Sequence, residues 1–175
     1  MKRHLPNVLT GLRLLAAPVV FGLMLRHQWS ALIPLFIAIA VTDSLDGYLA
    51  RKWNAMSKLG AYLDPIADKL LLSGSFLFLA LSGGVEWWLT GVVLGRDVGI
   101  LAGAGVLYSR KTLREFPPTI SGKASSFTQI LFVCFQVGAL SGIHVEPIAV
   151  ALKYAVAVLV VASAADYARR LRAPA

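Results

Sequence analysis

Six apolar stretches, separated by short polar segments, are the feature that most constrains how this chain of 175 residues can fold. Each stretch can cross a bilayer, which takes about 20 residues of helix. Charged residues make up 15% of the chain and the mean hydropathy is +0.70, whereas soluble domains carry roughly 25% charged residues. We therefore expect an all-α integral membrane protein, a single domain over residues 1–175. The predicted transmembrane helices are 9–25, 31–49, 60–81, 87–108, 120–140 and 147–167.

The basic residues cluster in alternate loops, and this asymmetry predicts the orientation. By the positive-inside rule both termini lie in the cytoplasm, and the segment between the second and third helices is also cytoplasmic. A net charge of +8 distributed in this way fits an anionic membrane surface, such as a bacterial inner or plasma membrane, and not nucleic acid. The basic residues on the cytoplasmic side are Lys2, Arg3, Arg51, Lys52, Lys58, Arg110, Lys111, Arg114, Lys123, Arg169, Arg170 and Arg172.

Four aspartates, Asp43, Asp46, Asp64 and Asp68, lie in the cytoplasmic segment and the helix ends beside it. A carboxylate at membrane depth costs a few kcal/mol, so four together require a common counter-charge. The spacings i, i+3 and i, i+4 place each pair on one face of its helix. Two antiparallel helices joined by a short loop bring these faces together. Oxygen ligands without nearby cysteine or histidine predict Mg²⁺ or Mn²⁺ as the cofactor.

The residues between the aspartates suit a phosphate-containing substrate. Gly47 and Ala50 leave room beside the helix backbone, and Arg51 suits a phosphate oxygen because it keeps its charge. Metal, arginine and small residues together indicate phosphoryl or phosphatidyl transfer, with a spare carboxylate as general base. Two alternatives remain: aspartates that cap helices or pair with lysines, and a divalent-cation transporter. A transporter would place acidic groups across the membrane depth, whereas these gather on one side.

The stretch Asp43-x2-Asp46-Gly47-x2-Ala50-Arg51-x8-Gly60-x3-Asp64-x3-Asp68 resembles the complete signature of the CDP-alcohol phosphatidyltransferases, with eight positions at fixed spacing. The resemblance implies CDP-diacylglycerol as donor, CMP as leaving group, membrane lipids as surroundings and a homodimer. It also implies that Asp43, Asp46 and Asp64 bind metal ions and that Asp68, near them, deprotonates the acceptor. The residues it assigns to the CDP-lipid are Asn7, Thr10, Gly47, Ala50, Arg51, Ser57 and Gly60.

The acceptor is predicted from the flanking helices. Pro6-Asn7-x2-Thr10-x2-Arg13 is similar to the opening of the glycerol-phosphate and cardiolipin branches, although Asn7 or Thr10 can equally cap the first helix. Arg96 and Asp97 are adjacent in the fourth helix, so we expect them to pair with other helices and not with each other; a structural bridge and acceptor binding are both open. The acceptor-binding candidates are Arg96, Arg114 and Lys123.

The flanking helices distinguish the two branches. Phosphatidylglycerophosphate synthases commonly read Gly-Arg-Glu in the fourth helix, with an arginine seven residues after the acidic one, whereas here Gly95-Arg96-Asp97 is followed at that spacing by Ala104. The eukaryotic-type cardiolipin synthases, which use phosphatidylglycerol, are resembled more closely by the Gly-Arg-Asp-Val run at residues 95–98, Tyr108, Thr112-Leu113 and Pro118-Thr119-x-Ser121-x-Lys123-x4-Thr128-Gln129. We predict phosphatidylglycerol as the acceptor, with glycerol 3-phosphate as the alternative. The single cysteine, Cys134, lies in an apolar run and is predicted to be buried.

Overall fold

The structure is a computed structural model, described here over residues 5–39, 41, 58–109 and 119–172. These ranges contain helices, turns and short connections and no β-strand. The helices, numbered in chain order, are α1 (Leu5–Leu25), α2 (Trp29–Ile39), α3 (Lys58–Leu81), α4 (Trp87–Ser109), α5 (Ile120–Leu140) and α6 (Glu146–Arg172).

Six helices lie at the predicted places, with differences at their ends, and the predicted end of the second helix, residues 42–49, lies outside the described residues. α5 has the predicted bounds, whereas α1 begins at Leu5 instead of residue 9 and α6 continues to Arg172 instead of residue 167. Hydropathy identifies only the apolar part of a helix. The helix itself can extend into polar sequence, because its backbone hydrogen bonds do not require apolar side chains. Because α1 begins before Asn7 and Thr10, the alternative in which either residue caps this helix is wrong.

One helix in the described ranges is long and apolar enough to cross a membrane. This segment of α6, Glu146–Arg169, has 24 residues, and only 22% of its most apolar window is buried inside the protein. Its exposed apolar side chains include Ile148, Val158 and Val161. Two shorter apolar segments are Leu14–Leu25 and Trp29–Ile39.

The hydrophobic core occupies one end of the helix bundle. Phe76 of α3 stacks on Phe132 of α5 with ring centroids 5.6 Å apart, and Phe21 of α1 stacks on Phe78 at 4.4 Å. Gly74 permits the second contact, because the Phe21 ring occupies the place of an added Cβ. The fully buried core side chains include Val20, Met24, Leu32, Phe76, Leu79, Leu89, Val93, Phe132, Val137, Val156 and Val160.

Polar residues collect at the other end of the same helices. Along α3, Lys69 and Ser73 precede the core residue Phe76, whereas along α4 Arg96 and Asp97 follow the core residues. Antiparallel α3 and α4 therefore place these groups at one level of the bundle.

The short connection between α3 and α4 lies at the opposite end of the bundle, where hydrogen bonds hold it to α5 and α6. Lys153 of α6 donates to Glu86 Oε1 at 2.6 Å, and Gln136 of α5 donates to the carbonyl oxygen of Gly84 at 2.7 Å. The hydrogen bond from Lys153 holds the pKa of Glu86 below its usual value. Gly83 has a φ of +74°, the left-handed conformation that glycine adopts without strain.

α4 and α6 run parallel and in register. Glu86 pairs with Lys153 and Arg96 pairs with Ser163, and each pair is separated by 67 residues in sequence. Since the offset is unchanged over ten residues, or about 15 Å of helix, the two helices advance together.

One smaller expectation is corrected. Cys134 is exposed on the outer face of α5 and not buried, because this helix presents apolar residues on its outer side as well as its inner side.

Candidate active site

α3 carries the second pair of predicted aspartates. Asp64 and Asp68 are four residues apart within one continuous helix, which places both positions on one face, a turn apart. The Asp68 side chain is exposed and makes contacts of its own. Gly60 lies in the first turn of the same helix. The rest of the aspartate stretch, namely Asp43, Asp46, Gly47, Ala50, Arg51 and Ser57, lies outside the described residues.

Asp97 is the centre of a polar cluster that reaches α3 through Lys69, the residue after Asp68, and through Ser73. Its Oδ2 accepts a hydrogen bond from Ser73 Oγ at 2.7 Å, while its Oδ1 lies 2.9 Å from Arg96 Nη1 and 3.1 Å from Lys69 Nζ. The Asp97 side chain is only 10% exposed. A buried carboxylate costs several kcal/mol unless it is paired and hydrogen-bonded, and here both oxygens are used. Lys69 immediately follows Asp68 in sequence, so the cluster adjoins the predicted catalytic residue.

Arg96 extends the cluster to α6. Its Nη2 donates to Ser163 Oγ at 2.8 Å, and its side chain is 11% exposed. The Nε atom of Arg96 is buried and has no hydrogen-bond partner among the described residues. Nε, with the second hydrogen on each Nη atom, is therefore available to a group outside that part of the chain.

The first turn of α5 lies against Arg96. Thr119 caps this helix by accepting a hydrogen bond from the Gly122 amide at 2.9 Å. A Cβ atom at Gly122 would come within 2.9 Å of Thr119 Oγ1 and 3.4 Å of Arg96 Nη2, so the close approach requires glycine. Ser121 donates to Asp166 Oδ2 of α6 at 2.8 Å and fixes this turn on its neighbour.

The predicted acceptor residues have different outcomes. Arg96 lies in the polar cluster, and Lys123 is exposed in the α5 turn that packs beside it. Arg114 lies outside the described residues. Asn7 and Thr10 lie inside α1, a helix that packs on α3. Their assignment to the CDP-lipid stays a prediction.

The expectation for Arg96 and Asp97 was wrong in one respect. They pair with each other as well as with other helices, since the long arginine side chain bends back along α4 to reach the neighbouring carboxylate. Sequence reasoning also missed Ser73, Ser163 and Asp166. These are polar residues within apolar helices, and that contrast is the signal that marks them.

The described part of the chain does not by itself contain a metal site. No group of three His, Cys, Asp or Glu side chains suited to a metal ion occurs there. Two of the four predicted ligands, Asp43 and Asp46, are outside the described ranges. The donor set suits a hard divalent cation, because it consists of carboxylate oxygens and α3 presents Asp64 and Asp68 one turn apart.

The described structure combines two acidic positions on one face of α3 with a cluster in which Lys69 and Arg96 pair with Asp97, on an all-helical bundle. The model of the CDP-alcohol phosphatidyltransferase family matches residues 3–164. This chain belongs to that family.

Several curated proteins are similar to this chain. The probable phosphatidylglycerophosphate synthase of Mycobacterium tuberculosis is 33% identical over 177 residues, covering 97% of this chain and 82% of that protein. The CDP-diacylglycerol–glycerol-3-phosphate 3-phosphatidyltransferase of Cereibacter sphaeroides is 48% identical over 94 residues, 51% of this chain and 42% of that protein. The CMP-forming cardiolipin synthase of Streptomyces coelicolor is 35% identical over 133 residues, 70% of this chain and 60% of that protein.

Proposed function

We propose that this enzyme transfers a phosphatidyl group from CDP-diacylglycerol to a hydroxyl of a glycerol-type acceptor and releases CMP, a step in phospholipid biosynthesis. The observation that carries the proposal is the shared face of Asp64 and Asp68 on α3, a helix that Lys69 joins to the Asp97–Arg96 pair. The relatives named for this reaction, with glycerol 3-phosphate or as CMP-forming cardiolipin synthases, support it.

In the proposed reaction the acceptor oxygen attacks the phosphorus of the phosphatidyl group. The new oxygen–phosphorus bond forms as the bond from that phosphorus to the CMP oxygen breaks, and CMP leaves with the electron pair. Asp68 takes the proton of the attacking hydroxyl. Arg51 stabilises the charge that develops on the phosphate oxygens. Gly47, Ala50, Ser57 and Gly60, with Asn7 and Thr10, hold the CDP-lipid.

We propose that Asp43, Asp46, Asp64 and Asp68 hold Mg²⁺ or Mn²⁺. Bound there, the cation supplies charge neutralisation at the pyrophosphate. The carboxylates alone would repel one another, and the all-oxygen donor set matches the preference of these ions.

Phosphatidylglycerol is the acceptor that the cluster geometry favours. Arg96 is ion-paired with Asp97 at 2.9 Å and also donates to Ser163, so part of its charge is already compensated inside the cluster. That environment suits an acceptor with less charge than a free phosphomonoester. Lys123 and Arg114 supply further acceptor contacts. Glycerol 3-phosphate is the second candidate, favoured by the M. tuberculosis relative, whose match covers nearly the whole chain.

The test is CMP release by purified enzyme with CDP-diacylglycerol and Mg²⁺, in parallel reactions with phosphatidylglycerol, glycerol 3-phosphate, inositol phosphate or serine. We expect CMP release with phosphatidylglycerol above all the others. Preference for glycerol 3-phosphate would overturn the acceptor assignment but not the reaction. Ion flux into liposomes without CMP release would contradict the reaction and support the cation-transporter alternative.

We propose that all six helices span the membrane, with both termini and the active site on the cytoplasmic side. The basic loop residues support this orientation. Trp87 and Trp88, exposed at the start of α4, lie at the opposite end of the bundle from the polar cluster, where an aromatic belt is expected. The surrounding bilayer is then a bacterial inner or plasma membrane.

We propose a homodimer that uses the glycine face of α4. Gly91, Gly95 and Gly99 repeat every four residues, line a groove of about 410 Å³ between α4 and α6, and have open space where a Cβ would lie. Small residues at this spacing let helix backbones approach closely in membranes.

Replacing Gly91 by leucine is expected to weaken this association about tenfold, or about 1.4 kcal/mol, because the side chain keeps the two backbones apart. The measurement is the dimer fraction against protein concentration in detergent, by light scattering after size exclusion. Gly22→Leu is the matched control, since Gly22 of α1 also has open space around it. A dimer unaffected by Gly91→Leu would exclude this face.

A further inference from the structure

The Asp97 carboxylate holds α3 through two side chains on one face of that helix. Lys69 and Ser73 are four residues apart and both reach Asp97, one by an ion pair at 3.1 Å and the other by a hydrogen bond at 2.7 Å. Two attachments one turn apart resist rotation of α3 about its axis more effectively than one. Arg96 donates to both Asp97 and Ser163, so the cluster attaches α3 to α6 as well as to α4.

We infer that Asp97 is a positioning residue. Its ion pair with Lys69 and its hydrogen bond with Ser73 set the rotation of α3 about its axis, and that rotation sets the direction in which Asp68 faces the reacting groups. The inference rests on the role proposed above for Asp68. Asp97 itself touches neither substrate nor metal in this assignment.

Because of helix geometry, the direction of Asp68 depends on the contacts that Asp97 makes with Lys69 and Ser73. Consecutive residues are separated by about 100° around a helix axis, so the direction of Lys69 determines that of Asp68. A side-chain end about 5–6 Å from the axis moves about 2 Å when the helix turns by about 20°. A displacement of only about 1 Å can slow a reaction about 100-fold when it takes a catalytic group out of line.

The polar cluster adds a directional attachment to the apolar packing of α3. Ala67 is buried, and Leu71 one turn later packs against the hydrophobic core. Asp68 itself is exposed. Apolar packing is non-directional, whereas the ion pair of Lys69 and the hydrogen bond of Ser73 depend on direction, so these two contacts define the rotation of α3 beside Asp68 more narrowly than packing does.

Ser73→Ala is the cleanest test, because it removes one hydrogen bond without leaving an unpaired charge. Ser75→Ala is its matched control: Ser75 lies on the same helix and is buried, but its hydroxyl donates to the carbonyl oxygen of Leu71 in its own helix. Asp97→Asn removes the charge that holds Lys69. Asp97→Glu keeps the charge and tests for rescue.

The measurements are kcat and KM for CDP-diacylglycerol in the full-length enzyme, and the affinity for Mn²⁺ alone, from the resonance of the free ion. We expect kcat to fall about 3- to 10-fold for Ser73→Ala and about 10- to 100-fold for Asp97→Asn, with KM changed less than about twofold. We expect Mn²⁺ affinity also to fall less in Ser73→Ala than in Asp97→Asn, since Asp68 belongs to the proposed ligand set. Asp97→Glu recovers part of kcat, and Ser75→Ala matches the parent enzyme.

Three results would overturn the inference: unchanged kcat and Mn²⁺ affinity in Ser73→Ala and Asp97→Asn, a loss confined to KM, or an equal loss in Ser75→Ala. If Asp97→Asn does not fold, the kcat and Mn²⁺ affinity of Ser73→Ala test the inference by themselves. An inactive parent enzyme would instead refute the proposed reaction, and the Mn²⁺ affinities of the same variants would still test the positioning of Asp68.

Discussion

Asp68→Asn is expected to reduce CMP release by a factor of about 10² to 10⁴, the range over which a general base contributes to catalysis. Asparagine keeps the size of the side chain but cannot take the proton of the acceptor hydroxyl. Binding of CDP-diacylglycerol is expected to stay largely intact, because the donor is held mainly by other residues of the stretch. The measurement is single-turnover CMP release together with equilibrium binding of the CDP-lipid.

The control for this change is Glu86→Gln. Glu86 is also acidic, but it pairs with Lys153 at the end of the bundle opposite the aspartates. Its loss is expected to leave turnover within about twofold, because an exposed ion pair contributes about 0–1 kcal/mol. Near-normal turnover in Asp68→Asn would remove Asp68 from the role of base. Loss of CDP-lipid binding in that variant would make Asp68 a donor-binding residue instead.

Removal of divalent cations is expected to lower activity to the background of the assay. Without a counter-charge, four carboxylates and a pyrophosphate repel one another, and the donor lipid cannot approach the α3 face. The experiment is treatment with a chelator, followed by passage into metal-free buffer and measurement of CMP release. Added Mg²⁺ or Mn²⁺ is expected to restore activity, because both suit oxygen ligands.

The control for chelation is the Asp43→Asn variant, in which restoration should require a higher Mn²⁺ concentration than in the parent enzyme. Asp43 is one of the proposed ligands, so its loss weakens binding of the ion without changing the buffer or the lipid. Full activity in the chelator would contradict the proposed cofactor. Restoration at the same Mn²⁺ concentration in both enzymes would remove Asp43 from the ligand set.

Much of the fold follows from local sequence. The bounds of α5 agree with those read from hydropathy, and α3 and α4 agree to within two residues at each end. Helix formation depends on contacts between residues three and four apart, and the sequence displays these directly. The same locality explains why the spacing of Asp64 and Asp68 predicted a shared face, and why the fixed spacing of the whole motif identified the family.

The cluster around Asp97 could not be predicted in this way. Ser73 is 24 residues from Asp97, and Ser163 is 67 residues from Arg96. Their meeting depends on the rotation of each helix about its axis and on the parallel register of α4 and α6. Local spacing even argued against the contact between Arg96 and Asp97, because it does not account for the reach of a long side chain.

The sequence by itself determined that this protein is helical and where most of its helices begin and end, and it predicts that four carboxylates share one site. It did so because helical periodicity and motif spacing are properties of neighbouring residues. Only the tertiary structure decided that Lys69, Ser73 and Arg96 converge on one buried carboxylate, and that the glycine face of α4 stays open. Those outcomes depend on how rigid helices settle against a shared core, where the packing of Phe76 and Phe132 sets positions that no single helix encodes.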